Sequence, residues 1–279
     1  MESSAARRAI VAAIPARYHS TRLPGKALRP IAGVPMIERV YRQVEQAEGL
    51  ARIVVLTDDE RIVEAVSRFG GDVQLTPDDC ASGTDRIAWA AATWQSSRKD
   101  SKDAPRNGAL EAAAVVNIQG DEPLIDPMEI SRVARHLADH PEDPVVTVAA
   151  PGTDADAADP EVVKVVLDSH GHALYFSRAP IPFSRQPEAT GLTLCHLGIY
   201  GYQRSALLKI AAAEPTPLEQ CESLEQLRML ENGIPIRVLE SPRGWWGVDT
   251  IEDLERVEEI LRREDGSGLA GAGTRDEND

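Results

Sequence analysis

The stretch "AIVAAIPARYHSTRLPGK", Ala9 to Lys26, decides the fold. Its first part, "AIVAAIP", is a short unbroken apolar run, the pattern of a strand buried on both faces of a sheet. Its second part is a polar loop holding Arg17, Arg22 and Lys26. The segment "PMIERVYRQVEQA" follows, with Pro35 opening a helix and Met36, Ile37, Val40 and Val44 recurring at helical spacing. The same unit repeats downstream. "RIVVLTD" reads as a buried strand and "DERIVEAVSRFG" as an amphipathic helix stopped by Gly70 and Gly71. "DVQLT" and "GTDRIAWAAATW" form the next pair, then "AAVVNIQGD" and "PMEISRVARHLADH". Strands alternating with helices of this length predict right-handed crossovers and an α/β fold: a doubly wound, mostly parallel sheet.

Beyond Asp143 the rhythm changes. "PVVTVAAP", "VVKVVLD", "HALYFSR" and "HLGIYGYQ" follow one another without long helices, which predicts a smaller β-rich insertion laid over the sheet's edge. A helical stretch over "PLEQCESLEQLRMLENG" ends at Gly233. The strand "IPIRVLE" and the helix "TIEDLERVEEILRRE" follow. The organisation expected is a single domain over 1–264. Its core covers about 9–150 and 234–264, and the insertion covers about 151–233. The polar segment from Ser96 to Gly108 reads as a mobile surface connection, and 265–279 as a disordered tail.

The bulk numbers exclude several classes. The chain has 279 residues and a formal net charge of −15, from 45 acidic and 30 basic side chains. That balance argues against nucleic-acid binding, which needs a basic face. No apolar run reaches the roughly eighteen residues of a membrane span. The start lacks the long apolar stretch and small-residue cleavage site of a signal peptide. Cys80, Cys195 and Cys221 lack CxxC or CxxH spacing, which disfavours zinc and disulfides and fits a cytoplasmic protein.

In open α/β sheets, ligands gather beyond the C-terminal ends of the strands, where this basic loop lies. Arg17, Arg22 and Lys26 suit phosphate oxygens, and Gly25 permits close backbone approach. A solvated loop balancing a neighbouring acidic surface is the alternative. Neither GxxxxGK[ST] nor GxGxxG is present, so P-loop hydrolases and nicotinamide enzymes lose ground. Two acidic stations accompany the loop. Asp121 ends the strand of "VVNIQGDEP", and Asp249 precedes the helix of "GVDTIEDL". Asp249 reads either as a metal ligand or, like Thr250, as a helix cap. Two carboxylates meeting at one strand edge suit Mg²⁺, which takes one or two of them plus phosphate oxygens and water. Cations with two acids point to nucleoside-triphosphate chemistry.

Seven segments, "IPARYHSTRLPGKAL", "SGTDRIA", "VVNIQGDEPLI", "ALYFSRAPIPF", "HLGIYGYQ", "PLEQCESLEQLRMLENG" and "GVDTIEDLERV", carry a specific resemblance. In this order they resemble the 3-deoxy-manno-octulosonate (KDO) cytidylyltransferases, from Ile10 into the last helix. The resemblance implies a Rossmann-like nucleotidyltransferase fold and transfer of CMP from CTP to a 2-keto-3-deoxy sugar acid, with Mg²⁺ and release of pyrophosphate. It implies that Arg17, Arg22 and Lys26 bind the triphosphate and that Ser82, Gly83 and Thr84 lie near the cytosine. Asp121 and Asp249 would hold the metal, and Lys26, Arg22, Asp121 and Asp249 would form the catalytic set. The sugar side would comprise Arg86, Gln119, Arg178, His196, Tyr200, Glu225 and Gln226. A homodimer through the insertion, about 151–233, is implied, with no nucleic-acid or membrane partner. Three features depart from the family pattern: Cys80 replaces a histidine, Cys195 replaces a basic residue, and Ser184 to Leu194 is short. They motivate one alternative, a cytidylyltransferase acting on another acidic acceptor (a phosphonate, another ulosonic acid or a sugar phosphate). A second alternative, from another class, is a non-catalytic nucleotide-binding regulator on the same fold, against which the presence of both Asp121 and Asp249 counts.

Overall fold

The structure, a computed structural model, describes residues 9–19, 23–96, 112–185, 192–242, 244, 247–248 and 250–269. The polar connection lies almost wholly outside these residues, as does the tail beyond 269.

The first half alternates as its periodicity requires. Strand β1 (Ile10–Pro15) leads through the basic loop into the short pair β2 (Pro30–Ile31) and β3 (Val34–Pro35), then helix α1 (Met36–Glu45). Then come β4 (Arg52–Thr57), α2 (Glu60–Arg68), β5 (Val73–Leu75), α3 (Gly83–Ser96), β6 (Ala114–Asn117) and α4 (Pro127–Asp139). Local chemistry sets the helix starts. The Asp59 and Asp126 carboxylates accept from the amides of Arg61 and Met128 to cap α2 and α4, and Pro127 opens α4. At α3 the Asp85 amide donates to Ser82 Oγ while Asp85 Oδ2 accepts from the Ser82 amide, a reciprocal cap at 3.0 Å each way.

The second half supplies β7 (Val145–Pro151), α5 (Asp154–Ala158), β8 (Lys164–Leu167), β9 (Ala173–Ser177) and β10 (Leu194–Gln203). It closes with α6 (Arg204–Ala211), α7 (Pro217–Glu222), α8 (Gln226–Glu231), β11 (Ile236–Glu240) and α9 (Ile251–Leu269). Helix α9 thus continues past Glu264, where its periodic pattern ends.

The main sheet runs β11-β7-β10-β6-β1-β4-β5. The β6-β1-β4-β5 and β7-β11 pairs are parallel, and β10 alone on this path lies antiparallel to its neighbours β6 and β7. The β-rich segment is therefore not laid over an edge. Its longest strand is wedged into the middle of the sheet, and only the β8–β9 hairpin stands off the main path. The cause is burial: β7 and the second half of β10 are apolar on both faces, so each needs a covered position with helices on either side. One face packs on α3, α6 and α8, with Trp94, Leu207 and Leu227 in its core. The other packs on α1, α2 and α4, with Val40, Val66 and Val133.

Candidate active site

Strands β1 and β6 are parallel neighbours, paired from Ile10↔Ala114 to Ala13↔Asn117. Their C-terminal ends therefore open side by side, and the loops that follow must meet. They approach closely at Gly120, where a Cβ would lie 2.9 Å from the Pro15 carbonyl oxygen, so a side chain is excluded. Across this junction Lys26 Nζ forms an ion pair with Asp121 Oδ2 at 2.6 Å. Lys26 is largely buried and Asp121 is about one third exposed, so the pair sits at the mouth of the site.

The basic loop is built rather than slack. Gly25 adopts φ +68°, and its amide donates to the Tyr18 carbonyl at 3.1 Å. The Tyr18 ring covers Gly25 and carries the Arg61 guanidinium 3.3 Å from its centroid, a cation–π contact. Leu23 is buried with Ile31, Met36, Val248 and Val257, anchoring the loop to α9. Arg17 reaches across to donate to the Cys80 carbonyl at 2.9 Å, joining the loop to the start of α3. Arg22 lies outside the described residues.

The segment before α9 returns to the same place. The Val248 amide donates to the Asp121 carbonyl at 2.8 Å. Thr250 caps α9: its Oγ1 accepts from the Asp253 amide, and Asp253 Oδ2 accepts from the Thr250 amide at 2.9 Å. The capping function considered for Asp249 is thus filled by its neighbour. Asp249 itself lies outside the described residues. Among those residues no three His, Cys, Asp or Glu side chains group to hold a metal. Asp121 presents a partly exposed carboxylate at the joined strand ends, the hard oxygen ligand that Mg²⁺ takes together with phosphate oxygens and water.

Behind the mouth lies a buried polar floor on the α3/α8 face. Glu225, the residue before α8, accepts from Ser82 Oγ at 3.1 Å and from Thr84 Oγ1 at 2.5 Å. The predicted nucleotide loop and the predicted sugar side are therefore joined by one carboxylate. Gln226 is buried beside it. Tyr200 pairs in register with Asn117, and both are nearly inaccessible. Asn117 Oδ1 has no hydrogen-bond partner among the described residues, and the Tyr200 hydroxyl has Thr147 as its side-chain neighbour. Burial pushes the Tyr200 hydroxyl well above its ordinary pKa, so it stays a neutral donor. Burial also drives His196 down to about 3, which keeps its imidazole neutral near pH 7. Gln119 enters from the β6 loop, where its Cγ lies 3.8 Å from the position a Cβ would take on Gly198.

Two predicted sugar-side arginines already hold partners within the protein, Arg86 wholly and Arg178 in part. Arg86 is fully buried, donating to Asp58 Oδ2 at 2.7 Å and to Thr76 Oγ1. Arg178 donates through Nε to the Glu222 carbonyl and through Nη1 to the Pro160 carbonyl, both at 2.9 Å. Its own carbonyl accepts from the buried Lys164 Nζ, which also serves the Asp159 and Val162 carbonyls. Gly83 opens α3 against Pro15.

Sequence reasoning missed Asn117, Thr147 and Lys164, polar residues buried within strands. The available signal was a polar residue inside an otherwise apolar strand, as in "VVTVAA" and "VVNI".

A basic loop and an acidic station at adjacent C-terminal strand ends, above a polar floor, define a nucleotidyltransferase of the α/β class. Comparison with known proteins narrows this. The cytidylyltransferase family model matches residues 11–239. A "3-deoxy-manno-octulosonate cytidylyltransferase" from Syntrophotalea carbinolica is 47% identical over 263 residues, covering 91% of this chain and 98% of the relative. One from Geobacter sulfurreducens is 45% identical, covering 91% and 99%. A solved CMP:2-keto-3-deoxy-manno-octonic acid synthetase complexed with CTP superposes with a TM-score of 0.83 at 41% identity, covering 92% of this chain and 99% of that one. The chain belongs to the 3-deoxy-manno-octulosonate cytidylyltransferase family.

Proposed function

We propose that this enzyme transfers CMP from CTP to the anomeric hydroxyl of KDO. The C2 oxygen attacks the α-phosphorus, the bond to the bridging oxygen of pyrophosphate breaks, and the hydroxyl proton leaves to solvent. The observation that carries the reading is the Lys26–Asp121 pair at the joined ends of β1 and β6, beside a floor shared by Ser82, Thr84 and Glu225. Arg17, Arg22 and Lys26 take the triphosphate, and Ser82, Gly83 and Thr84 the cytosine. Lys26 offsets charge that builds on the phosphates as the bond breaks. Gln119, Arg178, His196, Tyr200, Glu225 and Gln226 surround the sugar acid. His196 and Tyr200 are neutral and suit hydroxyls, so the carboxylate falls to the remaining donors of Arg178.

Asp121 and Asp249 would hold Mg²⁺, which when bound neutralises phosphate charge and makes a ligated oxygen more acidic. Homodimer formation through the insertion, about 151–233, and a cytoplasmic setting complete the proposal. Exposed Leu174, Phe183, Leu192 and Leu218 support the dimer, because the apolar residues of β7 and β10 are consumed inside the sheet.

The experiment is pyrophosphate release with CTP, Mg²⁺ and a panel of acceptors. Turnover with KDO is expected, and its loss in Lys26→Met and Asp121→Asn with the fold retained. Turnover with another acid and none with KDO would overturn the acceptor assignment. Tight CTP binding without turnover on any acceptor would return the chain to a regulatory role.

A further inference from the structure

Strand β10 carries an irregularity that the reaction described above does not require. Its register with β7 runs Cys195↔Ala150, His196↔Ala149, Leu197↔Val148 and then jumps to Tyr200↔Thr147. One step along β7 is matched by three along β10, so Gly198 and Ile199 are extra. In a regular strand, positions four apart lie about 13 Å from one another. Here His196 and Tyr200 stand opposite Ala149 and Thr147, which are two apart, and their ring centroids are 5.2 Å apart. The bulge thus turns distant residues into adjacent ones on the polar floor. Gly198 lets the bulge pass Glu122, whose Oε1 would lie 2.6 Å from a Cβ there.

Thr147 sits at the centre of this bulge with no accessible surface. Its Oγ1 lies 2.7 Å from the Ile199 carbonyl, 3.4 Å from the Leu197 carbonyl and 3.0 Å from His196 Nε2. A threonine hydroxyl has one proton to give. Both carbonyls can only accept, and the nearer, Ile199, takes that proton. Toward His196 the oxygen must then accept, so Nε2 carries the hydrogen. Reversing the assignment would set two bare acceptors 2.7 Å apart in a buried place, which is costly. No described residue hydrogen-bonds Nδ1.

We infer that Thr147 is a positioning residue that fixes His196 as its Nε2–H tautomer, leaving Nδ1 as the acceptor for a hydroxyl of the sugar acid. The same hydroxyl ties down the bulge that brings Tyr200 alongside. Two neighbours on one floor then offer complementary groups, an imidazole acceptor and a phenol donor. What His196 contacts rests on the acceptor reading above; the tautomer does not.

The test is long-range ¹⁵N–¹H correlation spectroscopy on the full-length enzyme with ¹⁵N-labelled histidine. Six histidines are present, and His196→Asn identifies the relevant signals. The wild-type enzyme is expected to show a pyrrole-type Nε2 and a pyridine-type Nδ1 at His196, unchanged between pH 6 and 8. Thr147→Val, nearly isosteric, is expected to lose that pattern and raise KM for KDO about tenfold, the worth of one hydrogen bond, with KM for CTP unchanged. Thr147→Ser is expected to keep the tautomer and stay within about twofold of wild type in KM, as one retained hydrogen bond demands. A protonated Nδ1 in the wild-type enzyme overturns the inference without any variant. An unchanged tautomer in a folded Thr147→Val overturns it as well. A lost tautomer with unchanged KM for KDO overturns the positioning role and traces the failure to the acceptor reading.

Discussion

Arg86 offers a sharp test, because resemblance and structure give it different work. The resemblance puts its guanidinium on the sugar. In the fold the side chain has no exposure and pairs with Asp58, itself 22% exposed, at 2.7 Å, while its other terminal nitrogen donates to Thr76. Those partners lie just past β4 and β5, so the arginine ties the start of α3 to the loops after two neighbouring strands. Arg86→Met keeps the aliphatic length and strands Asp58. Removing one member of a buried pair costs about 3–5 kcal/mol, and the partial hydration of Asp58 places this case near 3. At roughly 2–3 °C per kcal/mol for a chain of this size, Tm should fall by about 6–9 °C. Arg86→Lys keeps charge but loses the fork, so it should fall about halfway, as the geometry of the two cations dictates. A double-mutant cycle with Asp58→Asn, read by urea unfolding, should return a coupling of about 1–3 kcal/mol. Well below Tm, the folded variant should keep its KM for KDO within about threefold, less than one hydrogen bond's worth. A Tm within 2 °C of wild type together with a tenfold rise in KM for KDO would refute the structural assignment and restore the sugar contact.

Other outcomes follow from individual contacts. Thr250→Ala should cost about 1 kcal/mol by removing the α9 cap. Asp249→Ala should leave stability unchanged yet abolish Mg²⁺-dependent turnover; a loss of stability as large as that of Thr250→Ala would mean that Asp249 caps instead. Glu225→Gln should weaken the hydrogen bonds from Ser82 and Thr84 and raise KM for both substrates several-fold, as loss of a charged acceptor requires; a change confined to KDO would deny the coupling. His196 predicts a pH dependence of stability. Its folded value of about 3 lies below the ordinary 6.5, so the unfolded chain takes up a proton that the native one refuses. Stability contributed by the neutral ring is complete above pH 6.5 and is lost as pH falls toward 3, by about 2 kcal/mol at pH 5. His196→Asn should remove that share of the difference between urea unfolding at pH 7.5 and at pH 5.0.

The parts of the fold legible in sequence were those fixed locally. Continuous apolar runs marked β1, β4 and β6, and helical spacing marked α1, α2 and α4, because burial on two faces or one leaves a short-range pattern. The place of β10 was not legible. Antiparallel insertion between β6 and β7 depends on pairing across many residues, and "HLGIYGYQ" would look the same on an edge. The meeting of Lys26 with Asp121 was foreseeable, since parallel neighbours open their C-terminal ends together. The burial of Arg86 was not, because an arginine on an amphipathic helix reads as surface unless its acid partner, here 28 residues away, is known. Thr147 was hidden for the opposite reason: inside "VVTVAA" it passes for a β-branched filler, and only the bulge gives its hydroxyl partners.

The cysteines that set this chain apart bear on the acceptor less than their positions suggest. Cys195 precedes His196, and side chains alternate along a strand, so the two point to opposite faces of β10. On its face Cys195 meets Gly152, where a Cβ would come into clash with Sγ, and its thiol is raised in pKa by burial. A basic residue there would face away from His196 and Tyr200, so its absence removes no cation from the polar floor. At Cys80 the contact that matters is made by the backbone: Arg17 donates to the carbonyl oxygen, which every residue type provides. Burial holds this thiol in its protonated form too, so neither cysteine adds a nucleophile to the site. Neither of these two departures therefore takes a charged side chain from beside His196 and Tyr200. Cys80→His and Cys195→Arg should accordingly leave the ranking of acceptors in the pyrophosphate assay unchanged; a switch in preferred acid on either substitution would show that these positions reach the sugar after all.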